Sequence, residues 1–163
     1  MHEWSETELM IRDAVRQFVD NEIRPHVDDL EYGGLPPYDI IRKFFSSFGV
    51  DAMARENFKK QLERAKAREA GEPRADKSGG ISGQEAMALL AVSEICKVSM
   101  GITAAMGVSV GLAANTIMAR GTPAQQERWA LDLLTFEKVG AWAITEPDAG
   151  SDAFGGMRTT VKP

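Results

Sequence analysis

Ala143-Ile144-Thr145-Glu146-Pro147-Asp148-Ala149-Gly150-Ser151-Asp152-Ala153-Phe154-Gly155 is the stretch on which the reading of this chain turns. It overlaps an apolar, strand-like run, Gly140-Ala141-Trp142-Ala143-Ile144-Thr145, which breaks at Glu146-Pro147 into a loop of Gly, Ser and Asp. Successive residues of a strand face opposite sides, so Trp142 and Ile144 are expected to stand together as an apolar wall. Gly150 tolerates φ above zero and close approach, and Thr145 and Ser151 carry hydroxyls. Consecutive amides in such a turn can form a nest for an anion. The layout is that of a cradle for a flat, anionic ligand. Glu146, Asp148 and Asp152 act against it, since carboxylates repel phosphate unless they point away. A Gly-Ser-Asp turn after a strand is also more often structural than ligand-binding. On local residues alone both readings stand.

Upstream of that run the sequence reads as helix. Leu9, Val15, Phe18, Val19 and Ile23 make one apolar face, and Ser5 with Glu8 three residues on predicts a capping box at its start. Pro25 is expected to kink or end this helix, and Gly33-Gly34-Leu35-Pro36-Pro37 is a clear break. A second helix through Ile40, Ile41, Phe44, Phe45 and Phe48 reaches Gly49, its aromatics read as core. Residues 55–71 interleave Lys, Arg and Glu around a thin stripe of Phe58, Leu62 and Ala65. They predict an exposed helix, with Glu56 and Lys60 paired, which reads as a solvated surface insertion in preference to an interaction arm. A loop follows over 72–80.

The next two helices differ in kind. Residues 84–98 are amphipathic through Ala88, Leu89, Val92 and Ile95, whereas 100–118 are apolar nearly all round and rich in small side chains, which predicts an interior helix. Gly107 and Gly111, four apart, give up about 1 kcal/mol each relative to Ala, which implies that a neighbour needs the room. Thr122-Pro123-Ala124-Gln125 is a strong helix start, continued by Trp129, Leu131, Leu133 and Leu134.

Bulk properties narrow the classes. A chain of 163 residues, 44% hydrophobic and 26% charged, can bury one globular core, and a net charge of -5 argues against a nucleic-acid partner. One cysteine, Cys96, forms no intrachain disulfide and sits in an amphipathic helix, consistent with a reducing, cytoplasmic setting. The first residues lack the order of a signal or transit peptide, and no apolar stretch is expected to reach the ~18 residues that span a bilayer. No metal-ligand spacing is present. A lone strand at the end of a helical chain leaves its backbone groups without partners, so the chain reads as cut short.

The run from Trp142 to Asp152, continued to Gly155, resembles the first sequence signature of the acyl-CoA dehydrogenase family. Two upstream segments agree in order and distance: Val19-Asp20-Asn21-Glu22-Ile23-Arg24-Pro25 is similar to the family's first-helix ending. Gly121-Thr122-Pro123-Ala124-Gln125-Gln126-Glu127-Arg128-Trp129 is similar to its Gly-Thr-x-x-Gln-Gln/Lys segment. The resemblance implies an all-α amino-terminal domain over 1–138, carrying a charged helical insertion at about 55–80. It is followed over 139–163 by the first strand of a truncated β-domain, with the carboxy-terminal helical domain absent.

The resemblance further implies α,β-dehydrogenation of an acyl-CoA thioester with hydride transfer to FAD. Carried over by position, Trp142, Ala143, Ile144 and Thr145 would line the flavin, and Gly150 and Ser151 would meet the cofactor's phosphates, Ser151 also touching the thioester substrate. Counting back from Gly121, Ala105, Val108 and Leu112 would wall the acyl pocket. The catalytic Glu of the family lies beyond this chain, Glu146 being structural, so the chain alone is expected to be inactive. The implied partners are an acyl-CoA, an electron acceptor such as an electron-transfer flavoprotein, and further copies in a dimer or tetramer. Residues 51–80 depart from the family's pattern, which leaves the substrate class open. An oxygen-using acyl-CoA oxidase or flavin monooxygenase of the same superfamily, and a non-catalytic helical interaction module, are the alternatives.

Overall fold

The computed structural model describes residues 4–71 and 83–162, with the side chains of 83–86 outside the description. The loop expected at 72–80 therefore lies outside the described residues. Helix α1 (Glu6–Phe18) opens with the predicted capping box: the Ser5 hydroxyl accepts from the Glu8 amide at 3.3 Å, and the Glu8 carboxylate accepts from the Ser5 amide at 2.7 Å. It runs on into a π-helical turn (Val19–Ile23) and a 3-10 turn (Arg24–His26). Pro25, lacking an amide proton, ends the regular ladder there before α2 (Val27–Glu31). Helix α3 (Tyr38–Ser47) is separated from α4 (Val50–Glu69) by Gly49 at φ 64, a left-handed conformation that costs glycine little.

Helix α5 (Gly83–Cys96) packs along α1. Next, α6 (Met100–Met106), a π-helical stretch (Gly107–Ala114) and α7 (Asn115–Arg120) form one continuous rod. The helix start predicted at Thr122 is a capping box with Gln125 that opens α8 (Pro123–Gln125), which continues through a π-helical turn (Gln126–Ala130) into α9 (Leu131–Leu134). The four-residue α10 (Ala153–Gly156) completes the described helices.

Two apolar clusters hold this arrangement. In the larger, Val15, Val19 and Ile23 of the first helix meet Ile41, Phe44 and Phe45 of α3, with Ile95, Ile102 and Phe136 closing the other sides. The Phe cluster is core, as its spacing predicts: Phe18 lies edge-on to Phe44 at 5.4 Å, and Phe45 lies 5.7 Å from Phe136. Burial of each such side chain contributes roughly 1.5–3 kcal/mol. One charged group enters the α1–α5 seam. Glu94, 4% exposed, accepts from Arg16 at 3.2 Å through both oxygens and from Lys97 at 2.6 Å.

The second cluster corrects the expectation of a solvated charged helix. Phe58, Leu62 and Ala65 of α4 are buried, and Phe58 and Leu62 pack with Ala130 of the helix that follows Thr122, flanked by Ile117, Met118, Leu131 and Leu134. An apolar row of three on one face is enough to seat a helix, and its charged residues then face outward. Glu56 pairs not with Lys60 but with Lys59, at 3.7 Å.

Three further expectations are corrected. Among the described residues no strand forms: the run at 140–145 has no neighbouring strand to supply ladder hydrogen bonds, and the one β-bridge is local, between Glu146 and Ala149. The apolar rod is not interior, because only Ile102, Ser109 and Ala114 along it are fully buried. Helix Met100–Arg120 is also long and apolar enough, by length and composition, to cross a membrane, contrary to the expectation that no stretch would be. Here Ile102, Ala105, Met106 and Val110 of that helix pack on the first cluster, the behaviour of a packed helix in a globular domain.

Candidate functional site

Among the described residues one hydrogen bond ties the signature run to the rod. The Gly140 amide donates to the buried Ser109 hydroxyl at 2.9 Å, and a Cβ on Gly140 would stand 2.7 Å from the Ala113 Cβ. Only glycine lets the backbone come this close to the π-helical stretch. Ser109 is the one hydroxyl residue in the otherwise apolar stretch Gly107–Ala114, and its side chain is spent on this contact. Val108 and Leu112, two of the proposed acyl-wall residues, each adjoin a residue of this anchor in sequence. Val108 is half-buried and Leu112 is 40% exposed, whereas Ala105 is packed against the first core. Gly107 and Gly111 have open space where a Cβ would be, so no neighbour among the described residues uses their room.

From the anchor the chain runs outward through 141–145, exposed throughout, with Trp142 at 43% and Ile144 at 39%. The Ile144 amide donates to the Trp142 carbonyl at 3.0 Å, a γ-turn about Ala143 that interrupts the alternation expected of a strand. Among the described residues, the amides of Ala143 and Thr145 and the hydroxyls of Thr145 and Ser151 meet no protein partner. An exposed indole beside free donors is what a ring system edged with acceptor atoms requires, so these residues fit a flavin.

Beyond Thr145 the backbone folds into a closed loop. Glu146 and Ala149 exchange both backbone hydrogen bonds, at 2.9 and 3.2 Å, around Pro147-Asp148. The Glu146 carboxylate then reaches the returning segment, accepting from the Arg158 amide at 2.7 Å and the Thr159 amide at 2.8 Å. Hydrogen bonding from Thr159 and Arg158 holds the Glu146 carboxyl below the usual carboxylate range. Asp152 accepts from the Gly155 amide at 3.2 Å, and Ala149, 3% exposed, lies under Gly156. Gly150 and Ser151 sit exposed in this loop.

Gly150 behaves differently from expectation: its φ is not positive, and a Cβ there would meet nothing. The close approaches fall on Gly155 and Gly156, where a Cβ would stand 2.8 Å from Asp152 Oδ1 and 2.9 Å from the Ala149 Cβ. Sequence reading missed these two glycines, the Gly140–Ser109 anchor and the donors to Glu146. A lone Ser in an apolar helix signals that it has a partner, but nothing in the sequence says that the partner is an amide 31 residues away.

The fold is a helical domain with one exposed run joined to it by the Gly140–Ser109 contact. The family model described as "Acyl-CoA dehydrogenase, N-terminal domain" matches residues 5–56 and 50–137. The chain belongs to the acyl-CoA dehydrogenase family, as its amino-terminal portion. It is 28% identical to an acyl-CoA dehydrogenase of Bacillus subtilis over 96% of this chain and 36% of that protein. It is 30% identical to the caffeyl-CoA reductase-Etf complex subunit CarC of Acetobacterium woodii, over 97% of this chain and 36% of that protein. In structure it is similar to butyryl-CoA dehydrogenase from Megasphaera elsdenii, with a TM-score of 0.64 and 24% identity over 95% of this chain and 36% of that one, a likeness of fold. The chain thus spans about a third of the length of these relatives.

Proposed function

We propose that this chain supplies the helical wall and the first docking segment of an FAD-dependent acyl-CoA dehydrogenase. The observation that carries the reading is the family's signature run standing exposed, with free amides and hydroxyls among the described residues, beside its anchor at Ser109. Trp142 would cover the flavin, the Ala143 and Thr145 amides would hydrogen-bond its edge, Ile144 would lie against the ring, and Gly150 and Ser151 would meet its phosphates. Ser151 would also meet the thioester, with Ala105, Val108 and Leu112 walling the acyl group. FAD, when bound there, would supply the acceptor for a hydride from the acyl β-carbon.

In this reading the α-proton is taken by a carboxylate other than Glu146. Support comes from Glu146, which follows the run but is held ionised by amide donors and so is a weak base. A relative named as part of a complex with Etf supports an electron-transfer flavoprotein as acceptor. Assembly as a dimer or tetramer, a cytoplasmic location and a domain boundary at 138/139 belong to the same reading.

The test uses the full-length protein. It is expected to purify with bound FAD and to reduce an electron-transfer flavoprotein or a dye in the presence of an acyl-CoA. The 163-residue chain alone is expected to show no turnover. A colourless, folded full-length protein, or turnover by this chain alone, overturns the proposal.

A further inference from the structure

We infer that Glu146 is a positioning residue, whose carboxylate clasps loop 146–159 shut and so fixes the shape in which Ser151 meets its ligand. The inference rests on the docking role proposed above for this loop. Three observations support it. The two carboxylate oxygens of Glu146 take two successive amides, Arg158 at 2.7 Å and Thr159 at 2.8 Å, so one side chain spans both ends of the loop. The backbone of the same residue already closes the turn to Ala149. Inside the clasp Ala149 is buried, Gly155 and Gly156 admit no Cβ without a shift, and the Asp152 carboxylate accepts from the Gly155 amide. A second, weaker link joins the same two segments, with the Arg158 guanidinium 3.9 Å from Asp148 Oδ2, both side chains largely exposed.

The chemistry selects a carboxylate. Two adjacent N–H donors converge on one side chain, and only an ionised carboxyl offers an acceptor to each. A Gln at 146 would satisfy one amide and point its own NH2 at the other. The clasp touches no substrate or cofactor atom in this reading. It holds residues 150–151 in place from the opposite end of the loop, and an offset of about 1 Å in a docking group is enough to weaken binding.

The experiment uses the full-length protein as wild type, Glu146→Gln, Glu146→Ala and, as a control that removes only the exposed link, Asp148→Asn. Hydrogen exchange is followed by mass spectrometry in peptides covering 156–162, and FAD affinity is measured by reconstitution of the apoprotein. Both Glu146 variants are expected to exchange faster over 156–160. Their Kd for FAD is expected to rise roughly tenfold or more, while kcat at saturating FAD and thioester stays within roughly twofold and Tm stays near wild type. Asp148→Asn is expected to match wild type in both readouts. Faster exchange with an unchanged Kd overturns the positioning role and leaves the functional proposal standing. Wild-type exchange over 156–160 as fast as in Glu146→Ala overturns the clasp itself. A wild-type protein that binds no FAD overturns the functional proposal, and the positioning role falls with it.

Discussion

Phe136 combines two demands that seldom meet in one residue. It follows α9 with φ at 60, the left-handed region that a bulky side chain enters at a cost of about 1–2 kcal/mol, and its ring is completely buried against Phe45 and Tyr38. The carbonyl of Phe136 accepts from Arg42 Nε at 3.1 Å, which helps hold the turn. Ring burial outweighs backbone strain. Phe136→Ala should therefore cost about 3–5 kcal/mol in urea unfolding. Phe136→Gly should cost less than Phe136→Ala, by about 1 kcal/mol, because glycine escapes the left-handed penalty. The reverse order would show that the strain is negligible.

Glu94 gives the residue scale a pH signature. Its carboxyl is held below the ordinary range chiefly by the hydrogen bond from Arg16, with Lys97 assisting and burial opposing. The folded-state pKa thus lies below the unfolded value of about 4.3, so the contribution is fully present above that value and is lost as pH falls through the folded pKa. Glu94→Gln should lower stability by about 1–2 kcal/mol at neutral pH. It should also flatten the decline in stability below about pH 5, read from denaturant midpoints across the acid range.

At the scale of elements, the joint between the rod and the signature run is the sensitive contact. Gly140→Ala drives a methyl into the Ala113 Cβ, at 2.7 Å, and should destabilise by about 1–3 kcal/mol. Adding Ala113→Gly removes the clash but places another glycine in a helix, at about 1 kcal/mol. The double variant should therefore be less destabilised than the sum of the two singles, and strict additivity in denaturation would show that the contact is not made.

What the sequence reveals about elements follows from how local each cause is. Ser5 with Glu8 and Thr122 with Gln125 are legible because a capping box is closed within four residues. The Phe face of α3 is legible because helical periodicity is local too. The strand at 140–145 fails for the opposite reason, since a strand is defined by a partner and none is present among the described residues. The three π-helical stretches carry no residue signal, and the glycine that mattered in the loop was judged from composition: Gly150 is open while Gly155 and Gly156 are crowded. In α4 the stripe of Phe58, Leu62 and Ala65 is legible, but the charges around it gave no sign that the stripe is buried in the fold.

Taken whole, the chain has a packed side and an open one. Among the described residues, the rod Met100–Arg120 keeps its inner residues on the first core and leaves Met100, Ala104, Gly107, Gly111 and Leu112 exposed, while Trp142 and Ile144 are exposed on the outward run. Apolar surface of this kind is covered in a finished protein or makes it associate. The 163-residue chain should therefore bind a hydrophobic dye such as ANS and sediment with a concentration-dependent mass. A monodisperse chain that leaves the dye dark would argue that this surface is folded away in solution.

Loop 146–159 also has a place in time. Its clasp joins residues 12 and 13 positions apart, and the contacts inside it are shorter still. Loops of this length close in about 10–100 ns, far faster than any long-range strand pairing. The closed shape around Ser151 can thus exist as soon as Thr159 has left the ribosome, without any strand pairing to lean on.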